Sequence, residues 1–335
     1  MNADEAPRSR NVLPSAQPMY AAARRWRDDA LIGDRSLFDG RPIDGLAAAR
    51  ELERDFIHQP DESARDFVAK IRDQLAGTSP DGVQVAGELL YVHTLIIATE
   101  AFKATNKAAL VNVVLAIRSP ETSPVPDDLA AALRGGVARP GQAYASYRWK
   151  MFAYLIRLME AVKARPRADR EKAFSSLASF RQLVNELDEQ SVWSQRYALE
   201  HLLFPDEAPA ILSRDDRERI IKAFAAEFPG ELLSIEELIR RLEPNVTFGS
   251  ERGVNLYRHP YRERWQGPNP QLTEYAKWAR KVAGTINLEA HEREYKIERI
   301  GRLSAVFDTA RRGGQPRGCA TSGARQLQRG RLSRG

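Results

Sequence analysis

Large apolar residues recur along most of this chain at intervals of three and four, which is the period of an α-helix. In the segment 149–164, four of them would share one face of a helix: Phe152, Leu155, Ile156 and Met159. The segment 83–102 is apolar almost all round, as is typical of a helix buried at the centre of a fold. Only 254–257 gives a weak strand signal. The pattern therefore predicts an all-α fold with a multi-helix, bundle-like arrangement.

Glycine and proline clusters divide the helical pattern into separate segments. Helices are predicted at 61–75, 83–102, 107–117, 127–136, 149–164, 168–187, 191–203, 214–228 and 234–243, and again at 270–283 and 288–303. We expect five parts: a disordered lead-in at 1–18, short helices at 19–58, a helical core domain at 59–243, an irregular loop with helices at 244–300, and a disordered basic tail at 301–335.

The positive charge of the chain is concentrated at its C-terminal end. The formal net charge is +6, but residues 301–335 contain eight arginines and a single acidic residue, Asp308. The rest of the chain is nearly neutral, so total charge is no evidence that the folded part binds nucleic acid. The tail has two interpretations: an Arg/Gly-rich segment that binds nucleic acid weakly, or out-of-frame translation after a lesion in a G+C-rich gene. Its composition predicts disorder in either case.

The common enzyme motifs are missing from the sequence. There is no Gly-x-x-x-x-Gly-Lys-Ser/Thr loop, no Gly-x-Gly-x-x-Gly after a strand, no His-Glu-x-x-His helix and no Gly-x-Ser-x-Gly elbow. Cys319 is the only cysteine, which excludes a disulfide framework and a thiolate metal site within one chain. We therefore expect no catalytic residue, no metal site and no cofactor in this chain.

The sequence also predicts a protein without a membrane partner. Its longest strongly apolar run, 89–98, is about half as long as a membrane-spanning helix. The N-terminal residues lack the apolar segment of a signal peptide. The expected location is the cytoplasm.

The segment RPGQAYASYRWK, at 139–150, is the strongest candidate for a contact surface. Basic and aromatic residues are interleaved on a glycine-containing turn that enters a helix: Arg139, Tyr144, Tyr147, Arg148, Trp149 and Lys150. Arginine and lysine contact phosphates, aromatic rings stack on bases, and a helix N-terminus favours anions. The alternative is a capped helix start with the aromatic side chains packed inward.

Two other places have both a functional and a structural interpretation, and the structural one is favoured for each. His93, inside the apolar helix, is either a ligand or base, or a core histidine bonded to a backbone carbonyl. The segment YRHPYRERW, at 257–265, is either a stacking surface for nucleic acid or a loop held on the helical core by Tyr257, Tyr261 and Trp265.

The charged stretch around residue 210 is predicted to join two helices rather than to form an acid/base cluster. Phe204 ends the first helix, because a residue before proline, here Pro205, avoids the α region. Ser213 is suited to cap the second helix. Two aspartates fall in its first turn, where carboxylates interact favourably with the helix dipole. Structural roles therefore account for the carboxylates.

The same stretch, LEHLLFPDEAPAILSRDDRERIIKAF, resembles a segment that precedes the ATPase module in a group of bacterial McrB-like AAA+ proteins. There a helix ends in Phe-Pro-Asp, and a helix of pattern Ile-Ser-x-x-x-(Lys/Arg)-x-x-Ile-x-x-Ala-Phe follows. The matching positions here are Phe204, Pro205, Asp206, Leu212, Ser213, Arg217, Ile220, Ala223 and Phe224. The segments FVAKIRDQL, VQVAGELLYVHTLI and GVARPGQAYASYRWKMFAYLIRLMEAVKA are similar to the same region. The resemblance covers about residues 60–300.

McrB-like proteins are motor subunits of modification-dependent restriction and related phage-defence systems. The resemblance implies a recognition region that contacts DNA or a partner protein, such as an AAA+ motor or a nuclease subunit. It implies that GTP or ATP hydrolysis and Mg²⁺ belong to a motor module that this chain lacks. It assigns structural roles to Phe204, Pro205, Asp206, Ser213 and Arg217. A structural or oligomerisation module, and an enzyme whose site leaves no motif, are the alternatives.

Overall fold

The computed structural model describes residues 16–140, 144, 146–187, 192–242, 256–257 and 261–267. Within these ranges the chain forms thirteen α-helices, and its β-structure is limited to two isolated bridges, Arg35 to Pro42 and Ile97 to Ala138. The all-α prediction is confirmed for this part of the chain. The helices predicted at 270–283 and 288–303, the basic tail and the first fifteen residues of the lead-in lie outside the described residues.

All described residues belong to one compact unit, 1–267. Its helices are α1 Gln17–Arg25, α2 Gly45–Leu52, α3 Phe67–Gln74, α4 Pro80–Leu95, α5 Ala104–Leu115, α6 Asp127–Ala132, α7 Arg148–Lys163, α8 Arg167–Ala173, α9 Leu177–Asn185, α10 Trp193–Leu203, α11 Arg214–Phe224, α12 Ile235–Leu242 and α13 Arg262–Gln266. Helices α1 and α2 continue as wider π-helical turns, Trp26–Ile32 and Glu53–Ile57. None of the described helices combines the length and apolar character needed to cross a bilayer.

Polar caps explain why several helices begin where they do. Helix α4 starts three residues earlier than its apolar run predicts, because Ser79 Oγ accepts a hydrogen bond from Gly82 N and Pro80 fits the first turn. Helix α3 starts only after Asp66, whose carboxylate accepts from two backbone N–H groups. The single helix predicted at 168–187 is two helices, since Ser176 caps a new one, α9.

Helix α4 lies at the centre of the fold, as its sequence predicts. Every residue from 82 to 98 is buried, and α2, α5 and α7 all pack against the helix. Gly87 allows α5 to approach closely, because a Cβ atom there would lie 2.5 Å from a methyl carbon of Leu115. The helix ends at Leu95 rather than at the predicted residue 102, where the chain enters its bridge to Ala138.

The N-terminal helices belong to the same core and are not a separate part at 19–58. Tyr20 and Trp26 of the first helical segment are almost fully buried, and the main apolar cluster runs from Ala16 to Leu212. Helix α1 includes residue 18, the last residue of the predicted disordered lead-in at 1–18. That predicted segment is therefore too long at its C-terminal end. A proline in the first turn, Pro18, is compatible with a helix because that turn needs no N–H donor.

A second, smaller apolar cluster forms around α11, α12 and α13. Its buried members are Ile211, Ile220, Phe224, Ile235, Leu238, Ile239, Leu256 and Trp265. The cluster crosses the predicted domain boundary at 243, because Trp265 packs with these helices and donates its Nε1–H to Leu256 O at 2.7 Å. Residues 256–267 therefore belong with the core domain and not with a separate loop region.

The bridge that follows α4 depends on a glycine. At Gly136 an added Cβ would lie 1.9 Å from the carbonyl oxygen of Ile97, an atom that cannot rotate away. Gly136→Ala should therefore lower the free energy of unfolding by roughly 2 kcal/mol or more. Urea unfolding measures this change. Gly77→Ala is the matched control, since its Cβ would meet nothing within 4 Å, and an equal loss in both variants would contradict the close-approach argument.

Candidate functional site

Five of the six predicted contact residues are at least partly open to solvent, and Tyr144 is the exception. Tyr147 and Trp149 are 50% and 52% exposed, which is unusual for large rings. Arg139 is exposed and Lys150 is half-buried. We call these four residues the α7 entry surface.

A lysine lies between the two exposed rings of the α7 entry surface. Lys150 Nζ is 5.4 Å from the ring centroid of Tyr147 and 5.4 Å from that of Trp149. Cations at this distance are attracted by the ring faces. No acidic residue lies in the first turn of α7. The arrangement therefore offers planar stacking faces and a positive charge together.

Tyr144 is not part of this surface, which corrects the sequence prediction. Its side chain is 2% exposed and stacks on the His93 ring at 4.6 Å, nearly parallel. Its hydroxyl lies 3.0 Å from both His93 O and Gln195 Oε1, so that it has polar partners inside the core. A ring enclosed in this way cannot stack on a base. For this residue the inward-packed alternative describes the structure.

Arg148 is half-buried, and its guanidinium faces aromatic rings of the core. Its guanidinium carbon lies 5.4 Å from the Phe67 ring centroid and 6.0 Å from that of Phe102. Burial lowers the pKa of its guanidinium. Arg148 therefore fixes the start of α7 against the rings of α3 and the loop after α4, and its removal would disturb packing.

His93 lies in the core, but its partner is a side-chain amide rather than the predicted backbone carbonyl. Its Nδ1 is 2.7 Å from Gln195 Oε1. Burial lowers the pKa of the imidazole to about 4, so the ring is neutral near pH 7. Together with Tyr144 it links α4, the segment before α7 and α10, which gives it a structural role.

The helix joint has the predicted geometry. Helix α10 ends at Leu203, and the Phe204 ring packs 5.7 Å from the Phe180 ring. Pro205 and Asp206 follow at the surface end of the turn. Ser213 Oγ then accepts a hydrogen bond from Asp216 N at 3.1 Å and caps α11. The predicted cap is therefore present.

Arg217 holds this joint together from inside. It is 6% exposed, and its guanidinium lies 3.5 Å from the ring centroid of Tyr197. Its Nε donates to Ile211 O at 2.8 Å, and its Nη1 lies 3.4 Å from Glu236. These contacts connect α10, the crossing segment, α11 and α12, so the basic position of the family pattern has a structural role.

His201 is an important residue that sequence reasoning did not assign. Its Nδ1 donates to Ala208 O at 2.7 Å, because a carbonyl can only accept, and its Nε2 then accepts from the Tyr20 hydroxyl at 2.7 Å. The bond joins α1 to α10 across 181 positions of sequence. No local pattern signals such a long-range pair.

The described residues of the segment 257–265 agree with the interpretation that this loop is held on the helical core by its aromatic side chains. Trp265 is buried, and the Tyr257 hydroxyl donates to Asp216 at 2.9 Å. Tyr261 packs near Phe224, with ring centroids 6.3 Å apart. Within the part of the chain that the structure describes, no three His, Cys, Asp or Glu side chains cluster as a metal site requires.

The two buried histidines predict sensitivity to acid. Burial lowers the pKa of both His93 and His201 to about 4, whereas the unfolded chain takes up protons near the ordinary value of 6.5. Between these values the unfolded state binds more protons, so the free energy of unfolding should fall as the pH drops from about 6.5 towards 4. Urea unfolding near pH 7 and pH 5 measures the fall.

His201→Gln isolates one of the two contributions. Between about pH 7 and pH 5, the free energy of unfolding should fall less in the variant than in the wild type, by on the order of 2 kcal/mol. Burial raises the pKa of Glu88 to about 7, which gives an opposite pH dependence, but that carboxyl is present in both proteins and cancels. The same pH dependence in wild type and variant would show that His201 is not buried and neutral.

Comparisons with known proteins find no relative of this chain. The chain matches no protein-family model, no curated protein and no solved structure. The likeness to McrB-like N-terminal regions therefore rests on the residues of the sequence, above all the joint between α10 and α11. What that likeness implies about DNA, partners and a motor module is a proposal.

Proposed function

We propose that this chain is the N-terminal recognition region of a McrB-like restriction ATPase and that it binds DNA through the α7 entry surface. The observation that supports this most is the pair of half-exposed rings, Tyr147 and Trp149, with Lys150 between them. In this proposal the region recognises its target, and a separate AAA+ motor and nuclease act on it in the cytoplasm.

The chemistry of the surface suits a nucleic acid. Stacking of a base on an aromatic side chain contributes about 1–3 kcal/mol and tolerates any sequence. Lys150 supplies positive charge beside the rings, where phosphates would lie, and Arg139 is a second exposed cation of the same sequence segment. Backbone contact and stacking would thus come from one small area.

A protein partner is the second candidate. Exposed tryptophan and tyrosine side chains also anchor protein interfaces, where they fill pockets on the partner. The motor or the nuclease subunit would be that partner. A module with only an oligomerising role is the further alternative. In each case the chain itself is proposed to be non-enzymatic, so nucleotide hydrolysis by the pure protein would overturn the proposal.

Trp149→Ala combined with Lys150→Ala should weaken DNA binding by about tenfold or more, because one stacking face and one cation are lost. The slope of log affinity against log salt should fall by about one. Gel-shift titrations of the full chain with methylated and plain DNA, at two salt concentrations, measure both. The C-terminal arginines are the same in both proteins, so they do not contribute to the difference.

Lys172→Ala is the matched control, since it removes an exposed lysine from α8. It should bind DNA as the wild type does, and all three proteins should keep similar melting temperatures. Unchanged binding by the Trp149/Lys150 variant would reject this surface as the DNA contact. If the wild type binds neither DNA, the protein-partner candidate replaces the DNA proposal.

A further inference from the structure

A polar cleft opens between α9, α10, α11 and α12, where the two apolar clusters meet. Its volume is about 320 Å³, at the lower end of the range for small-molecule sites. It shares no residue with the α7 entry surface. Four arginines and three glutamates line it, together with two aromatic residues: Arg181, Arg196, Arg214, Arg217, Glu200, Glu218, Glu236, Trp193 and Tyr197.

The three glutamates of the cleft are all ion-paired with three of its arginines. Arg181 lies 2.6 Å from Glu200 and 2.7 Å from Glu236. Arg217 also reaches Glu236, at 3.4 Å. On the rim, Arg214 and Glu218 are paired at 2.9 Å. The acidic groups of the cleft are therefore satisfied without the fourth arginine.

Among the four cleft arginines, Arg196 takes no part in these ion pairs. Its side chain is buried, with 6% of the residue exposed, and it makes no ion pair with any described residue. Its Nη2 donates to the neutral amide of Asn185, and its guanidinium carbon lies 4.5 Å from the Trp193 ring centroid. Its Nε is buried without a hydrogen-bond partner. A buried guanidinium without an anion is unfavourable.

A second unused donor lies beside it. Trp193 Nε1 is also buried without a hydrogen-bond partner. The guanidinium carbon of Arg214, on the rim of the cleft, lies 5.1 Å from the ring centroid of the same indole. Two guanidinium groups and an indole N–H thus lie around one aromatic side chain. Arginine forks match the oxygens of phosphate and carboxylate groups, often with two parallel bonds.

We propose that this cleft binds a small molecule through a phosphate or carboxylate group. The oxyanion pairs with the Arg196 guanidinium, which has no ion-pair partner among the described residues. Arg196 Nε and Trp193 Nε1 are closed to solvent, and they donate to the oxyanion once their side chains rotate towards the cleft. Arg214 reaches the same group from the rim, because its side chain is half exposed and its partner Glu218 lies in solvent. Arg181 and Arg217 do not bind the ligand but hold the walls through their glutamates.

Titration calorimetry of the full chain tests the site, with sodium phosphate and sodium acetate as separate probes in chloride buffer of matched ionic strength. A site gives saturable binding, whereas exclusion of phosphate from the protein surface does not saturate. Saturable binding of phosphate alone, of acetate alone or of both supports the proposal and identifies the preferred group. No saturable binding of either probe to the wild type overturns it.

Three variants assign the binding to the cleft. Arg196→Gln should weaken it by roughly tenfold or more, and Trp193→Phe, which keeps a ring but removes the N–H, by about fivefold. Arg219→Gln is the matched control, because that arginine is exposed on α11 and does not line the cleft. Equal affinity in Arg196→Gln and Arg219→Gln overturns the proposal.

The thermal stability of the variants shows whether each is folded. Because Arg196 is buried and unpaired, Arg196→Gln should melt within a few degrees of the wild type without probe, and only its probe-dependent rise in melting temperature should be lost. If Arg196→Gln fails to fold, Trp193→Phe decides: full affinity in that variant overturns the role of the indole donor. DNA binding through the α7 entry surface is measured separately, so either proposal can fail alone.

Discussion

The burial of α4 from Gly82 onward is the constraint on which the other helices depend. A helix that is apolar all round must be covered on every side, so α2, α5 and α7 surround it and the N-terminal helices complete the layer. The close approach at Gly87 brings α5 against it. Because the main cluster runs from Ala16 to Leu212, the fold cannot be divided at residue 58.

Covering α4 also encloses polar groups, and almost every one of them joins two distant parts of the chain. His93, Gln195 and Tyr144 link α4, α10 and the segment before α7, while Tyr20 and His201 link α1 to α10. In a low-dielectric interior each unsatisfied group is costly, so these pairs select one arrangement of the helices. Arg196 differs from these neutral groups because it is a buried cation with no ion-pair partner among the described residues, and this difference supports the proposed anion site in the cleft.

The start of α7 divides its side chains between two environments. Tyr144 and Arg148 face the core, whereas Tyr147 and Trp149 face solvent. Along the turn that enters the helix, the interleaved aromatic and basic residues point alternately inward and outward. The inward-packed interpretation therefore describes some residues of this segment, and the contact-surface interpretation describes others. The outward set is small, but it combines the stacking faces and positive charge that a recognition surface needs.

The sequence by itself determined the helical class, the central position of α4, the helix joint at Phe204 and Pro205, and the cap at Ser213. All of these depend on local periodicity, on proline and on side-chain caps within a few residues. Only the tertiary structure decided which residues share a site. It placed His201 against Tyr20, moved Tyr144 into the core, turned the guanidinium of Arg148 towards core rings, and collected the arginines of the cleft from three helices. Such contacts depend on the packing of segments far apart in sequence, and periodicity within one segment does not encode them.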